Sequence, residues 1–192
     1  MGINERKARQ KAELRKKILK SARTLARKDG WDAVTTRKLA EKVEYSTTVI
    51  YEYFGNKDQL LLLLREEGFE RMQQAVEKAL DPSLPPRKQL VAAGIASWQF
   101  AREKPEYYQV MFNLGGIHCQ AEKESAALHK ATAVVFRILD QAHVVDAESV
   151  FMNWWSIVHG FIALDINEQM PFESLQMEKF LQEALERLTH QL

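Results

Sequence analysis

The sequence predicts an all-α fold, and three observations predict it. Apolar residues recur at three- and four-residue intervals through most of the 192 residues. No stretch of useful length alternates apolar with polar residues as a half-buried strand would, and no segment repeats. The prolines gather between periodic segments, at 81–86, 105 and 171, where they open or separate helices. With 46% hydrophobic residues the chain can bury a core of its own. A single cysteine, Cys119, rules out an intramolecular disulfide framework and fits a reducing compartment. The charged N-terminus and the lack of an apolar run near the roughly 20 residues of a span predict no export signal and no membrane partner. A cytoplasmic location is the expectation.

The elements follow in order. From Glu13 to Lys28, Leu14, Ile18, Ala22, Leu25 and Ala26 share one helix face, and Lys and Arg take the other, up to a stop near Gly30. A short second helix is read in TTRKLAEKV, capped by Thr35 or Thr36, with Leu39, Ala40 and Val43 inward. After a turn at Glu44-Tyr45, Ser46 caps a third helix from Thr47 to Phe54, and Gly55 stands where a left-handed end is needed. Asn56, with Gln59 three residues on, opens a fourth helix reaching about Leu80. The segment DPSLPP must then be a connector. Further helices are expected at 87–103, 105–113, 122–142, 147–168 and 174–190, with a break at Asn113-Leu-Gly-Gly.

The second and third helices have the lengths of a helix-turn-helix, in which the second of the pair enters the DNA major groove. Charge agrees with that placement. Residues 1–57 hold 15 Lys+Arg against 7 Asp+Glu, a net +8, while the remainder carries −7 inside an overall +1. A polyanion is attracted to the first quarter and repelled by the rest. On periodicity alone, a small helical bundle with solvated charged faces fits as well. The basic residues before Leu14 read either as a minor-groove arm or as a disordered tail.

The stretch VTTRKLAEKVEYSTTVIYEYFGNKDQLLLLL closely resembles the DNA-binding region of TetR-family transcriptional repressors. The match lies in Thr35, Thr36, Arg37 and Ala40, then Ile50, Tyr51, Phe54 and Lys57. Glu44 departs from it, since the family usually places Gly in the turn. The resemblance implies binding to double-stranded operator DNA through Thr35, Thr36, Arg37, Ser46, Thr47, Thr48, Val49, Tyr51 and Lys57. Thr35 and Thr36 sit at a helix start, which suits a phosphate oxygen, and Lys57 adds a charge to that task. Thr47, Thr48 and Val49 suit base edges. Arg37 suits a guanine or a phosphate, and Tyr51 one turn on faces outward. Ile50 and Phe54 should lock the recognition helix inward, with Tyr53 beside them.

The helix at 147–168 is apolar on two faces: Phe151, Trp154, Trp155, Val158 and Ile162 on one, Val150, Ile157, Phe161 and Leu164 on the other. One core covers one face, and a partner subunit is the economical cover for the second. The family resemblance implies a homodimer through two late helices, here those near 122–142 and 147–168, and a C-terminal ligand-binding and dimerisation domain over 58–192 after a helix-turn-helix domain over 1–57. WQFAREKPEYYQVMF and WWSIVHGFIAL resemble the TetR-type ligand domains that carry a Trp and a His-Gly pair. That implies a pocket for a small-molecule effector lined by Trp98, Tyr107, Tyr108, Met111, Phe112, Trp155 and His159. The same aromatic stripes also read as plain core.

His118 and Cys119, with Glu122, hint at a metal or redox site, but their geometry is incomplete and no metal is expected. No nucleophile elbow, phosphate loop or zinc-protease motif is present, so no catalytic residue and no cofactor are expected. The reading is a non-enzymatic repressor released from a palindromic operator by an effector. A helical enzyme acting on small molecules, or a DNA- or partner-binding protein without an effector, stands as the alternative.

Overall fold

The computed structural model of the chain describes residues 2–117, 125–167, 169, 171–190 and 192. His118, Cys119 and Glu122 lie outside the described residues, as does the expected helix start at 122. Nine α-helices are present among the described residues: α1 (Ile3–Asp29), α2 (Thr36–Val43), α3 (Thr47–Phe54), α4 (Lys57–Ala79), α5 (Pro86–Glu103), α6 (Pro105–Phe112), α7 (Ala126–Gln141), α8 (Ala147–Ile166) and α9 (Ser174–Thr189). None of them is long and apolar enough to cross a membrane.

The first three helices stack through the residues expected to face inward. Ile18, Ala22 and Ala26 of α1 meet Leu39, Ala40 and Val43 of α2 and Ile50 and Phe54 of α3, all buried. Three helix starts use the same device: a side-chain oxygen accepts from the backbone N–H three residues on. Thr35 accepts from Lys38, Ser46 from Val49, and Asn56 from Gln59. Lys17 Nζ donates to the Val43 carbonyl at 3.0 Å, closing the end of α2 against α1.

Two details differ from the sequence reading. The basic segment before Leu14 is neither an extended arm nor a tail, since α1 runs unbroken from Ile3. Charged, good helix formers without a breaker let the helix propagate through it. Tyr53 is half-buried instead of fully inward, with the Lys11 ammonium 5.8 Å from its ring centroid.

The larger body is built around α4 and α5. α4 packs against α5, α6 and α7, while α5 is covered by α8 and α9. Two glycines set the closest approaches. A Cβ on Gly68 would stand 2.7 Å from Met111 Sδ, so α6 lies directly on α4; one on Gly94 would stand 2.4 Å from Leu185 and 3.1 Å from Val158. Trp154 fixes α8 to α5 by donating its Nε1–H to the Leu90 carbonyl at 3.0 Å.

Candidate nucleic-acid interface and internal cavity

Thr35 and Ser46 cap the N-terminal ends of α2 and α3, and both cap residues are exposed. Free backbone N–H groups and the positive ends of the helix dipoles lie there. Thr35, Arg37, Ser46, Thr47, Thr48, Tyr51 and Lys57 are exposed, and Thr36 and Val49 are half-buried. Tyr51 is a large aromatic ring left 54% exposed although α3 buries Ile50 and Phe54 on its other side.

Arg37 and Lys57 are not idle in this structure. Arg37 Nε pairs with Glu41 at 3.0 Å, a solvent-exposed i,i+4 contact worth little and easily exchanged for another anion. Lys57 Nζ donates to the Trp31 carbonyl at 3.1 Å, which ties the start of α4 to the turn after α1. Tyr45, 48% exposed in the turn between α2 and α3, was not singled out by the sequence; its place beside Ser46 was the available signal.

The second feature is a cavity of about 430 Å³ lined by α4, α5, α6, α7 and α8 and open to solvent beside His129 and Met152. Its walls include Met72 and Val76 of α4, Phe112 of α6, Val135 and Phe136 of α7, and Phe151, Trp154 and Trp155 of α8. Phe136 and Phe151 stack at 4.7 Å, and Phe112 and Trp155 lie 5.2 Å apart. Of the seven residues expected to line a pocket, only Phe112 and Trp155 line this one. Trp98 is buried under the Arg102 guanidinium, 4.9 Å from its ring. Met111 fills the space left by Gly68. Tyr108 lies behind Phe112, sharing a 2.8 Å hydrogen bond between its Oη and His159 Nδ1. Burial pushes the Tyr108 hydroxyl well up and the His159 imidazole down, favouring the neutral form of each. Gly160 meets nothing at its Cβ position, so it is not needed for close helix contact there.

Tyr107 turns the opposite way. Its hydroxyl accepts from Arg23 of α1, and the Arg23 and Arg71 guanidinium groups lie 4.9 and 5.5 Å from its ring centroid. Arg71 also pairs with Glu67 at 2.7 Å. Burial acts to raise the Glu67 carboxyl, but hydrogen bonds from Tyr107 and Arg71 and the charges of Arg23 and Arg71 outweigh it and hold the group below its ordinary value. Burial and the adjacent Glu67 carboxylate push the Tyr107 hydroxyl far above its ordinary value. Arg65 Nε reaches the Met111 carbonyl at 3.4 Å near the end of α6. Thus α6 is bonded to α1 and α4 on one side and presents Phe112 to the cavity on the other. The sequence offered only the Glu67/Arg71 i,i+4 spacing as a sign of this network.

Comparison with known proteins places these features. A helix-turn-helix tied through one long helix to a helical body with an internal cavity defines a two-part, regulator-type protein. Residues 18–64 match the bacterial regulatory proteins of the tetR family, and residues 90–188 match the tetracyclin repressor-like C-terminal domain. The chain belongs to the TetR family. The HTH-type transcriptional repressor KstR of Mycolicibacterium smegmatis is 34% identical over 67 residues, which covers 35% of this chain and 33% of that protein, so the match spans about a third of its length. A structure of a protein with unknown function from Rhodococcus sp. RHA1 superposes with a TM-score of 0.78 at 23% identity, covering 93% of this chain and 95% of that one. RolR in complex with resorcinol superposes with a TM-score of 0.66 at 18% identity, covering 94% and 89%. These structural likenesses establish the shared fold.

Proposed function

We propose that the chain is a homodimeric transcriptional repressor that leaves a palindromic operator when a small molecule fills the cavity. The observation that carries it is the exposed Thr47, Thr48 and Tyr51 face, joined through α6 and α4 to an apolar cavity. Thr35, Thr36 and Ser46 meet phosphates at helix starts; Thr47, Thr48, Val49 and Tyr51 meet base edges; Arg37 and Lys57 exchange their present contacts for DNA oxygens. No enzymatic step is needed for this reading.

The dimer seam fits α8 with α9 better than the α7–α8 pair expected from the sequence. Val150, Ile157, Phe161 and Leu164 of α8 are half-buried, while Leu175 and Phe180 of α9 are 80% and 38% exposed. The outer side of α7 instead carries Lys130, Arg137 and Asp140. Covering that apolar face with a second copy removes it from water and sets two recognition helices in two-fold register.

Ligand signalling then has a defined path. A molecule against Phe112 displaces α6, and the Tyr107 bond to Arg23 carries the shift to α1 while Gly68 and Arg65 carry it to α4. The ligand acts by its differential affinity for the two arrangements. Gel-shift assays with DNA flanking the chain's own gene test the reading: specific binding to a palindrome is expected, and no duplex binding even at low salt sinks it. Tyr107→Phe should keep operator binding but weaken ligand release several-fold; an unchanged release shows that the path lies elsewhere.

A further inference from the structure

The walls of the cavity carry a chemical bias that names the class of its ligand. Phe112, Phe136, Phe151, Trp154 and Trp155 form broad aromatic surfaces, and no Lys, Arg, Asp or Glu is among the described lining residues. A charged group taken into such walls loses its hydration without gaining a counter-charge. Among the described lining residues the titratable one is His129, exposed with Met152, and the nearby Glu77, bonded to Gln73, already has a counter-charge in Arg137 at 3.7 Å.

The interior polar groups are biased as well. The Ser97 hydroxyl donates to the Ala93 carbonyl at 2.8 Å, and the Thr132 hydroxyl donates to the Leu128 carbonyl at 3.2 Å. Their protons are committed to the backbone, and the oxygens keep lone pairs for an incoming donor. Gln73 commits one amide N–H to Glu77 at 3.2 Å and keeps its other N–H and its carbonyl oxygen, so it can meet either a donor or an acceptor. Two hydroxyl oxygens that can only accept, beside an amide that can meet either partner, favour a ligand group that brings a hydrogen-bond donor, as a hydroxyl does.

We propose that the cavity selects an uncharged, mainly apolar ring compound bearing a hydroxyl donor, and rejects carboxylates, sulfonates and ammonium compounds. This rests on the cavity being the effector site of the repressor reading. It goes beyond that reading by fixing the charge and the hydrogen-bonding sense of the effector.

Isothermal titration of the full chain with four naphthalene probes tests it: 2-naphthol, naphthalene, 2-naphthoate and 2-naphthyltrimethylammonium. The alcohol should bind about five-fold tighter than naphthalene, from one net hydrogen bond, and at least about ten-fold tighter than either ion. Among Gln73→Leu, Ser97→Ala and Thr132→Val, at least one should erase the gap between 2-naphthol and naphthalene while leaving naphthalene binding as it was. Ala131→Trp, or Leu128→Trp should the first fail to fold by circular dichroism, should abolish binding by filling the space. An ion that binds as tightly as the alcohol, equal binding of alcohol and hydrocarbon, no saturable binding of any probe, or binding that survives a folded blocking variant overturns the inference. Gel shifts on the same preparation keep the two readings separate: lost duplex binding with intact probe discrimination removes the repressor reading alone. Intact duplex binding without discrimination removes only the ligand class.

Discussion

The outer face of α2 and α3 and the cavity among α4–α8 are two proposed sites made by opposite means. The first is assembled by 23 residues, 35–57, whose caps, turn and helix period are all local. The second draws on residues from Met72 to Trp155, spread over five helices, and has no meaning until those helices are packed. A site read outward from one short motif keeps its identity under changes in the body. A site made from packing shares its residues with the core, so perturbing it perturbs stability.

That contrast is broken most sharply at Trp154. It lines the cavity, is 2% exposed, and bonds the Leu90 carbonyl. Trp154→Ala should lose about 3–5 kcal/mol of stability, read by denaturant unfolding, together with any ligand binding. A variant that stays as stable as the parent while losing ligand would mean the cavity is independent of the core after all.

Tyr51→Ala is the counterpart on the outer face. With its ring more than half exposed, the melting temperature should hold within the change of about 0.5 kcal/mol typical of surface positions. Operator affinity should fall by about 1–3 kcal/mol. A stability loss larger than the affinity loss would reassign Tyr51 to the core.

The sequence's legibility follows the same division. Ser46 and Asn56 announced their caps, and Thr35 did so as one of two candidates with Thr36, because a cap is written in residue type and a three-residue offset. Ile50 and Phe54 announced their burial through the i,i+4 spacing. Tyr107 and Tyr108 could not be told apart. Neighbours on a helix point about 100° apart, and only the positions of α1 and α8 decide that one meets Arg23 and the other His159. Aromatic density predicted an interior, and Phe112 and Trp155 reached the cavity from it, but Met72, Gln73 and Val76 came from the long fourth helix, which carried no pocket signal in the sequence. Glu67 and Arg71 were unremarkable surface charges until α1 brought Arg23 beside Tyr107.

The His159–Tyr108 pair gives the core a pH response. Burial lowers the His159 value from 6.5. The folded state therefore resists a proton that the unfolded state accepts. Its contribution to stability is complete above about 6.5 and is lost as pH falls through the lower, folded value. Thermal melts from pH 8 to 5 should show stability declining over that window. His159→Gln, which still offers Tyr108 an acceptor, should flatten the decline relative to the parent. An identical slope in both proteins would place the response at another group.

The smallest effect belongs to Glu44, in the turn that orients α3. Its backbone is left-handed, with φ 64° and ψ 44°. Tyr45 N–H bonds the Ala40 carbonyl at 3.0 Å, and Glu44 N–H bonds the Glu41 carbonyl at 3.3 Å. This is the pairing that ends a helix on a left-handed residue, a position where Gly is at ease and a side chain is strained. The carboxylate is exposed and makes no compensating contact among the described residues, so the substitution leaves strain of about 1 kcal/mol in the turn. Glu44→Gly should recover part of it. The gain is at most about 1 kcal/mol, because glycine also gives the unfolded chain more freedom. Glu44→Ala, which removes the charge but keeps the Cβ, should bring no such gain. If alanine stabilises the chain as much as glycine, the defect at Glu44 is its charge beside the basic helices and the backbone of the turn is sound.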